Sequence, residues 1–515
     1  MFFKLDSFAL TGIDAIKISV EVHISNGIPS FSIVGLADKA INESRQRVRA
    51  AIINSGFKFP AKRIIVNLSP ADIKKEGAFY DLPIALAILS VSNQIDNSKK
   101  LTDEFVFIGE LSLDGKVNSV KGIISMVEKS KEINKKYFLM PVKNANQASI
   151  IADINIVICS SLNDAAVLIT SEEKIKKNIY KRTEGQLNLI NGIEKQSKDF
   201  SDIKGQLKAK RAIEIAVTGM HNIMLIGPPG AGKTMLASRI TTIMPQLSVE
   251  ESIEVTKIYS LHKNFNGNLI MQRPFRNPHH TVTRIGLVGG GNIPKPGEIS
   301  LAHRGVLFLD EFSQFNKTAI EDLRQPIENR EIIISRNSIF YRFPCNFMLV
   351  VATNPCSCGY YGDNKKKCSC TFREIKRYWE SISGPIIDRI DMYVNVPKLN
   401  NNDFTKDVHN ESSGQIKSRV ILNQQTQKKR FEGIDIKYNA EANLNFIYGW
   451  INENREIKKL IPEIIDKYSL TGRGITNLLK VARTIADMEG LKVIGVSHLM
   501  EALQYKTNYI YGQNN

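Results

Sequence analysis

An eight-residue, glycine-rich segment constrains this chain more than any other feature. It comprises Gly227, Pro228, Pro229, Gly230, Ala231, Gly232, Lys233 and Thr234. A mostly apolar run, residues 221–226, precedes it, and a helical pattern follows at 235–240. A strand, a glycine-rich loop, and then Lys and a hydroxyl at the start of a helix form a cradle for nucleotide phosphates. We therefore predict that Lys233 contacts the outer phosphates of ATP and that Thr234 offers its hydroxyl to Mg²⁺.

A second apolar run, residues 305–309, ends in the acidic pair Asp310 and Glu311. A buried parallel strand with acidic residues at its carboxyl end is typical of the second half of an ATP-hydrolysis site. Asp310 would hold Mg²⁺, and Glu311 would orient and polarise the attacking water. Many strands end in an acidic residue, so the prediction depends on the order in which the pair follows the phosphate loop.

The net charge is the property of the composition that bears most on binding partners. The chain has 515 residues, with 69 Lys and Arg against 52 Asp and Glu, which gives a formal charge of +17. A surplus of this size favours contact with nucleic acid, although a lysine-rich codon usage would produce the same excess. No run reaches the ~18 apolar residues of a membrane span, and the N-terminus lacks a signal-peptide pattern. We therefore expect a cytoplasmic protein with no membrane partner.

The pattern of apolar runs divides the chain into four regions. Residues 1–170 alternate strand-like and helical runs and predict an N-terminal α/β domain. Residues 171–200 are polar and basic, which indicates a linker. Residues 201–397 alternate strands and helices around the phosphate loop and predict an α/β core. Residues 398–515 start with a polar stretch and continue with helical runs at 416–431, 440–454, 475–488 and 496–505, which predict a C-terminal helical lid domain.

Four of the six cysteines form a pattern that could hold a metal ion. They are two Cys-x-Cys pairs, Cys356 with Cys358 and Cys368 with Cys370. Four thiolates so arranged could enclose a tetrahedral Zn²⁺, and its role would be structural because four sulfurs leave no open position. The spacing departs from the usual Cys-x-x-Cys, so reduced thiols in an ordinary loop are the alternative.

A third apolar run, residues 347–353, ends in Asn354, and two further polar candidates follow. The order of phosphate loop, acidic pair and this strand resembles the AAA+ class of ATPases. In that class Asn354 would be sensor 1, which hydrogen-bonds the γ-phosphate or the attacking water. Arg389 would be the arginine finger that reaches a neighbouring subunit's site. Arg473 stands where the class carries its sensor 2 arginine on the lid.

Each of these three assignments has a simpler alternative. Asn354 precedes a proline and would also suit a turn. Arg389 could form a surface salt bridge with Asp388 or Asp391. Arg483 is a rival for the sensor 2 position.

Longer segments resemble one family within that class, the magnesium-chelatase-like AAA+ proteins of the YifB/ComM type. The matching segments are residues 273–282, 289–311, 351–363 and 482–487. The resemblance extends over nearly the whole chain. It implies an ATP-driven homo-hexamer that acts on single-stranded or branched DNA, as a branch-migration helicase in recombination or natural transformation.

Two basic segments are candidates for the DNA contact. A predicted hairpin at 332–342 resembles the pore hairpin of related helicases, and we predict that Arg336 grips strand phosphates there. An ordinary solvated role is the alternative. The other segment contains His279 and His280. For these we favour hydrogen bonding or strand contact over metal ligation, because adjacent residues on a strand point to opposite faces.

The N-terminal region resembles the Lon protease domain, an S5-like α/β fold. In this alignment Phe79 stands at the position of the nucleophilic Ser, and Ile124 at that of the catalytic Lys. Without a hydroxyl nucleophile and its amine base, acyl transfer has no starting point. The resemblance therefore implies a non-proteolytic module for DNA, a partner or ring assembly, with Lys121 as the one remaining candidate for a base.

Three other functions remain as alternatives to a DNA motor. A remodelling ATPase of the kind that inserts a metal into a tetrapyrrole is the first, although those motor subunits lack this N-terminal domain. An ATP-dependent protease is the second, and Phe79 argues against it. A scaffold that binds ATP without turnover is the third, and Glu311 and Arg389 argue against it.

Overall fold

Two compact units make up the chain, and each is assembled from separate segments. The computed structural model describes residues 1–36, 39–75, 77–95, 102–151, 153–181, 198–262, 265, 268–292, 294–336, 339–363, 365–382, 384–399 and 410–506. The first unit comprises Met1–Gly192, Val249–Met271 and Ile333–Phe343, and the second comprises Ile193–Ser248, Gln272–Ile332 and Pro344–Asn515. Two segments from the middle of the sequence therefore belong to the N-terminal unit.

Two sheets of different kinds form the frame of the first unit. A four-stranded sheet has the order Phe2–Thr11, Asp14–Ser25, Arg63–Ser69, Ser30–Val34. Its first two pairings are antiparallel, and its last is parallel. A three-stranded parallel sheet has the order Phe105–Phe107, Tyr137–Pro141, Asn155–Cys159. The first two strands of this second sheet are buried along their whole length, as expected when both faces of a parallel sheet are covered.

Helices cover these sheets, and one of them is entirely buried. The helices of this unit are Lys39–Asn54, Asp81–Val91, Ile123–Glu132, Ala145–Ala148, Leu162–Leu168, Glu172–Lys177 and Val249–Ser260. Asp81, the first residue of the buried helix, accepts a 2.9 Å hydrogen bond from Arg47 Nε. Burial raises the pKa of Asp81 to about 6 even with this partner. Short strands at Glu110–Leu111 and Val117–Asn118 pair as a hairpin, and Glu331–Arg336 pairs with Ile339–Pro344.

A five-stranded parallel sheet forms the centre of the second unit. Its order is Phe275–Arg276, Val306–Leu309, Met348–Thr353, Ile223–Ile226, Met392–Asn395. Every neighbouring pair in this sheet is parallel. Because parallel strands end at the same edge, the segments that follow them are brought together there. The phosphate loop, the acidic pair and Asn354 all follow strands of this sheet directly.

Helices make up the rest of the second unit, and those after residue 410 form the predicted helical region. The helices before it are Leu207–Gly219, Lys233–Ala237, Ile240–Ile243, Arg284–Val288, Glu298–Leu301, Lys317–Glu321, Arg324–Asn329, Phe372–Ser381 and Gly384–Ile387. The C-terminal helices are Ser413–Arg430, Leu444–Asn452, Arg455–Tyr468, Gly472–Met488 and Val496–Gln504. The predicted α/β content and C-terminal helical region are confirmed. Arg455–Tyr468 was not predicted, and it contains Pro462.

Parts of two predicted polar segments lie outside the described residues, namely 182–197 of the linker and 400–409 of the stretch before the lid. Within the described parts of the chain, no helix is long and apolar enough to cross a membrane.

A buried charge network joins the C-terminal helices. Asp487 accepts hydrogen bonds from Arg430 Nη1 at 2.7 Å, Asn439 Nδ2 at 2.8 Å and Arg483 Nε at 3.1 Å. The side chains of Arg483 and Asp487 are each only 1% exposed. A buried ion pair of this kind leaves a costly uncompensated charge when one partner is removed.

We predict that Asp487→Ala destabilises the helical region by about 3–5 kcal/mol, because it strands the buried Arg483 guanidinium. Hydrogen exchange in Gly472–Met488 at increasing urea concentrations measures the loss. Asp466→Ala is the matched control: Asp466 is an exposed carboxylate in the same region, and its loss should change stability by less than about 0.5 kcal/mol. Equal effects of the two changes would contradict the network's importance.

Candidate nucleotide site and cysteine cluster

The phosphate loop joins a buried strand to a helix start. All four residues of Ile223–Ile226 are buried, and the helix Lys233–Ala237 begins directly after Gly232. Gly232 has a φ of 89°, a left-handed conformation that costs glycine little. This turn leaves the first N–H groups of the helix free of intrahelical partners, which is the arrangement that suits phosphate oxygens.

The side chains of four predicted site residues meet at the edge of the sheet. Lys233 Nζ donates to Asn354 Oδ1 at 3.2 Å and to the carbonyl oxygen of Gly227 at 2.6 Å. Thr234 Oγ1 donates to Asp310 Oδ2 at 2.6 Å. Burial lowers the pKa of Lys233, and the negative charges of Asp310 and Glu311 oppose that effect. The structure thus places the predicted phosphate-binding and magnesium-binding groups within direct reach of one another.

Glu311 occupies an unusual backbone position beside a cleft. Its φ is 49°, in the left-handed region that non-glycine residues rarely adopt, and its side chain is 64% exposed. The cleft is lined by Asn277, Pro278, His279, His280, Asp310 and Glu311. Strained residues of this kind often occur at functional sites. An exposed carboxylate at the edge of a cleft is free to orient a water molecule.

His280 lies next to Glu311, which the sequence did not indicate. Its Nδ1 atom is 3.5 Å from Glu311 Oε2, and its ring lies 4.1 Å from that of His279. The expectation that the two histidines point to opposite faces was wrong, because they follow the short strand Phe275–Arg276 in a non-strand segment where their rings pack together. The contact with Glu311 arises from the pairing of Phe275–Arg276 with Val306–Leu309, a tertiary feature without a local sequence signal.

The two predicted arginines share one carboxylate. Arg389 Nη2 donates to Glu328 Oε1 at 2.6 Å, and Arg473 Nη2 donates to the same oxygen. Burial acts to raise the pKa of Glu328, but the two guanidinium groups outweigh it and lower the pKa. All three residues line a cavity of about 150 Å³ that, among the described residues, includes none of the phosphate loop or the acidic pair. The structure therefore brings Arg389 and Arg473 together, but in a place separate from Lys233.

The contacts of these arginines differ from the simpler alternatives that the sequence left open. Arg389 pairs with Glu328 rather than with Asp388 or Asp391, while Asp391 Oδ2 accepts a 2.9 Å hydrogen bond from the Asn222 backbone N–H. Within the described parts of the chain, the buried Nε atom of Arg389 has no hydrogen-bond partner. The rival Arg483 is engaged with Asp487 inside the helical region.

The four clustered cysteines converge. The Sγ atom of Cys356 lies 3.3 Å from that of Cys358 and 3.7 Å from that of Cys368, and Cys358 and Cys368 are 3.4 Å apart. With Cys370 included, all four sulfurs lie within 4.8 Å of one another. Burial acts to raise the pKa of Cys358, but backbone N–H groups of Tyr360 and Ser369 outweigh it and lower the pKa to about 5. This group could bind a metal ion.

The remaining predicted residues lie in the first unit. Ile124 is buried in an apolar cluster, and Phe79 packs against the same cluster. Lys121 is exposed. Arg336 is exposed at the end of its strand, and Phe340 on the paired strand is 63% exposed. The hairpin therefore presents a cationic and an aromatic side chain to solvent.

Comparison with known proteins identifies the family. The family models "Magnesium chelatase, subunit ChlI", "Subunit ChlI of Mg-chelatase" and "Magnesium chelatase, subunit ChlI C-terminal" match residues 199–404, 20–144 and 410–506. The chain is 41% identical over 503 residues to "Competence protein ComM" of Haemophilus influenzae, covering 97% of this chain and 96% of that protein. It is 39% and 38% identical, with the same coverage, to "Uncharacterized protein YifB" of Escherichia coli and of Salmonella typhimurium. These matches confirm the resemblance seen in the motifs: the chain belongs to the YifB/ComM-type family of magnesium-chelatase-like AAA+ proteins.

Proposed function

We propose that this protein is an ATP-driven motor that acts on DNA as a homo-hexamer, with branch migration in recombination or natural transformation as its activity. Membership of the magnesium-chelatase-like AAA+ family implies an ATPase. The observation that carries the proposal is the meeting of Lys233 and Thr234 with Asn354 and Asp310 at one edge of the sheet. The 41% identity to the competence protein ComM of Haemophilus influenzae supports a role in competence.

The proposed hydrolysis divides its roles among neighbouring strand ends. Lys233 and the phosphate-loop N–H groups bind the β- and γ-phosphates, and Asn354 hydrogen-bonds the γ-phosphate or the water. The Thr234 hydroxyl and the Asp310 carboxylate are oxygen ligands of the kind that Mg²⁺ prefers, and they would hold the ion together, since they lie within hydrogen-bond distance of each other. When bound, Mg²⁺ neutralises phosphate charge. Glu311 accepts a proton from the attacking water and aligns it.

A ring is part of the proposal because two cationic side chains lie away from the phosphate loop of their own chain. Arg389 and Arg473 line a cavity with Glu328. An arginine supplied by another subunit stabilises the charge that develops on the transferring phosphoryl group. We propose that Arg389 does so for the neighbouring subunit and that Arg473 contacts nucleotide as sensor 2.

The DNA contact is proposed for the Glu331–Arg336 and Ile339–Pro344 hairpin. Exposed Arg336 can pair with backbone phosphates, and exposed Phe340 offers a face for base stacking. The formal charge of +17 favours polyanion binding in general. Such contacts carry no sequence preference, which suits a motor that moves along a strand.

The proposed domain organisation keeps the boundaries expected from the sequence, although Val249–Met271 and Ile333–Phe343 of the proposed core belong to the first compact unit. Residues 1–170 form a Lon-protease-like module without peptidase chemistry, because the positions of its nucleophile and base hold Phe79 and Ile124 in apolar surroundings. Residues 201–397 form the ATPase core and 398–515 the lid. The four cysteines hold a structural rather than a catalytic zinc, since four sulfurs leave no open coordination position. The proposed location is cytoplasmic.

A remodelling ATPase is the second candidate, because all three matching family models describe a magnesium chelatase subunit. The two functions differ in what stimulates turnover. A DNA motor hydrolyses ATP faster with forked or three-stranded DNA, and a chelatase subunit does so with its porphyrin-binding partner. Branch migration of a synthetic junction with and without ATP tests the first function directly.

We predict that Lys233→Ala abolishes nucleotide binding, whereas Glu311→Gln binds ATP but hydrolyses it at least about 100-fold more slowly. The first change removes the phosphate charge partner, and the second removes only the base. Binding of a fluorescent ATP analogue and phosphate release measure the two effects. Lys208→Ala and Glu321→Gln, at exposed positions of the same unit, should resemble wild type. A fully active Glu311→Gln protein would contradict the assignment.

We predict that Arg389→Ala binds ATP but loses hydrolysis, and that mixing it with Lys233→Ala subunits restores part of the activity. In a mixed ring, an intact finger from a Lys233→Ala subunit faces an intact phosphate loop of an Arg389→Ala subunit. The control mixture pairs Arg389→Ala with the double variant Lys233→Ala/Arg389→Ala, which has no finger to offer. Equal rates in the two mixtures would contradict a shared site.

We predict that Arg336→Ala weakens binding to single-stranded DNA uniformly across sequences and reduces the salt slope of log K by about 1. Fluorescence anisotropy at several salt concentrations measures both effects. Arg455→Ala removes the same charge from an exposed helix start in the second unit and should leave the slope unchanged. If both variants lose the same affinity, the hairpin is not the contact.

A further inference from the structure

The cysteine cluster belongs to a chain segment that starts and ends at the nucleotide site. Only Pro355 separates Asn354 from Cys356. Past the second cysteine pair, Thr371 caps the helix Phe372–Ser381 in a capping box with Glu374. The chain therefore leaves the cluster through a capped helix start.

That helix returns to the strand end from which the segment started. Trp379 Nε1 donates to the carbonyl oxygen of Pro355 at 3.1 Å. The Tyr378 hydroxyl lies 2.7 Å from Thr353 Oγ1. The residues on both sides of Asn354 are therefore held by the helix that follows the cysteines.

The same tyrosine contacts the turn that follows the acidic pair. Its hydroxyl donates to Ser313 Oγ at 3.1 Å. Ser313 lies in the short turn Phe312–Gln314, directly after Glu311. Tyr378 thus links the end of the strand before Asn354 to the turn that follows the proposed base Glu311.

The cysteine loop also lies against the phosphate loop. A Cβ added to Gly359 would sit 3.0 Å from Cδ and 3.2 Å from Cγ of Pro229, and 3.8 Å from Cγ of Asn354. Gly359 has a φ of 85°, so the left-handed conformation and the close approach both favour glycine there. Its N–H donates to the Cys356 carbonyl at 3.0 Å, which ties this contact to the first cysteine.

The spacing of the sulfurs fits a tetrahedral ion. Four sulfurs at about 2.3 Å from a zinc ion lie about 3.8 Å apart in a regular tetrahedron. The distances of 3.3, 3.4 and 3.7 Å among Cys356, Cys358 and Cys368 are near that value, and they are far longer than a disulfide bond. Without an ion, the pairs would be joined by weak contacts such as that between Ser357 Oγ and Cys370 Sγ, at 3.2 Å, and by a polar loop that includes three consecutive lysines, residues 365–367.

We propose that a zinc ion bound by Cys356, Cys358, Cys368 and Cys370 acts as a positioning centre for ATP hydrolysis, which it supports by holding Asn354 and the phosphate-loop residue Pro229 in place. The ion cross-links the segment through which Gly359 contacts Pro229 and through which Tyr378 and Trp379 contact the strand end. It takes no part in the chemistry. The positioning role rests on the proposed ATPase function, whereas zinc binding itself does not.

The first experiment removes the ion and leaves the nucleotide-contacting residues intact. The purified wild-type protein should contain about one zinc per chain by elemental analysis. Cys358→Ser/Cys368→Ser, at two partly exposed positions, should lose the zinc and reduce kcat by roughly 10- to 100-fold, because small displacements at a reacting centre are costly. Ser369→Ala, which keeps all four thiols, is the control and should retain both zinc and kcat.

The second experiment keeps the ion and disturbs only the contact. Gly359→Ala should retain zinc but reduce kcat more than it weakens ATP binding, because its methyl group pushes against Pro229. Gly362→Ala is the matched control, since Gly362 in the same loop also has a left-handed φ, of 75°. It reproduces the backbone strain, and its kcat should exceed that of Gly359→Ala.

If the double cysteine variant does not fold, chelation of zinc from the folded wild-type protein and its restoration supply the same comparison. Hydrogen exchange in Phe372–Ser381 should rise on zinc loss, and this readout does not depend on activity. Zinc-free wild-type protein, or a zinc-free variant with wild-type kcat, would overturn the proposal. A wild-type protein that binds zinc but never hydrolyses ATP would instead refute the motor function.

Discussion

The parallel pairing of Met348–Thr353 with strands on both sides is the constraint on which the rest of the candidate site depends. Ile226 lies opposite Thr353, and Leu309 lies opposite Val351. Main-chain hydrogen bonds between buried strands set this register, and a shift of one residue would turn every side chain to the other face. The lysine, the acidic pair and the asparagine meet because their three strands end together.

Charge is distributed unevenly around this edge. Near the phosphate loop the described groups are one lysine and two carboxylates, with Thr234 and Asn354 as neutral partners. The guanidinium groups of Arg389 and Arg473 lie elsewhere and share Glu328. The cavity that these groups line also contains Arg330, Asp391 and Glu441, so three guanidinium groups face three carboxylates there.

Some parts of the candidate site carry a complete local sequence pattern, and others carry none. The phosphate loop and the acidic pair were recognisable because each combines a buried strand with a short motif that dictates its own turn. The contact between His280 and Glu311 had no such signal, because it depends on which strands are neighbours. The helix Arg455–Tyr468 escaped prediction because Pro462 lies inside it, and packing of buried Ile457 and Ile464 compensates for the proline. The shared partner of Arg389 and Arg473 lies 145 residues from Arg473 along the chain.

By itself, the sequence determined the family, the α/β and helical content, the phosphate loop and the four-cysteine pattern. Each of these depends on short segments of the chain whose residues have their own local geometry. Only the tertiary structure decided which separated segments meet. It assigned Val249–Met271 and Ile333–Phe343 to the N-terminal unit, placed both arginines on Glu328, and seated the cysteine loop against Pro229. These contacts join residues far apart in the chain, and their energies depend on packing and strand order that no local pattern encodes.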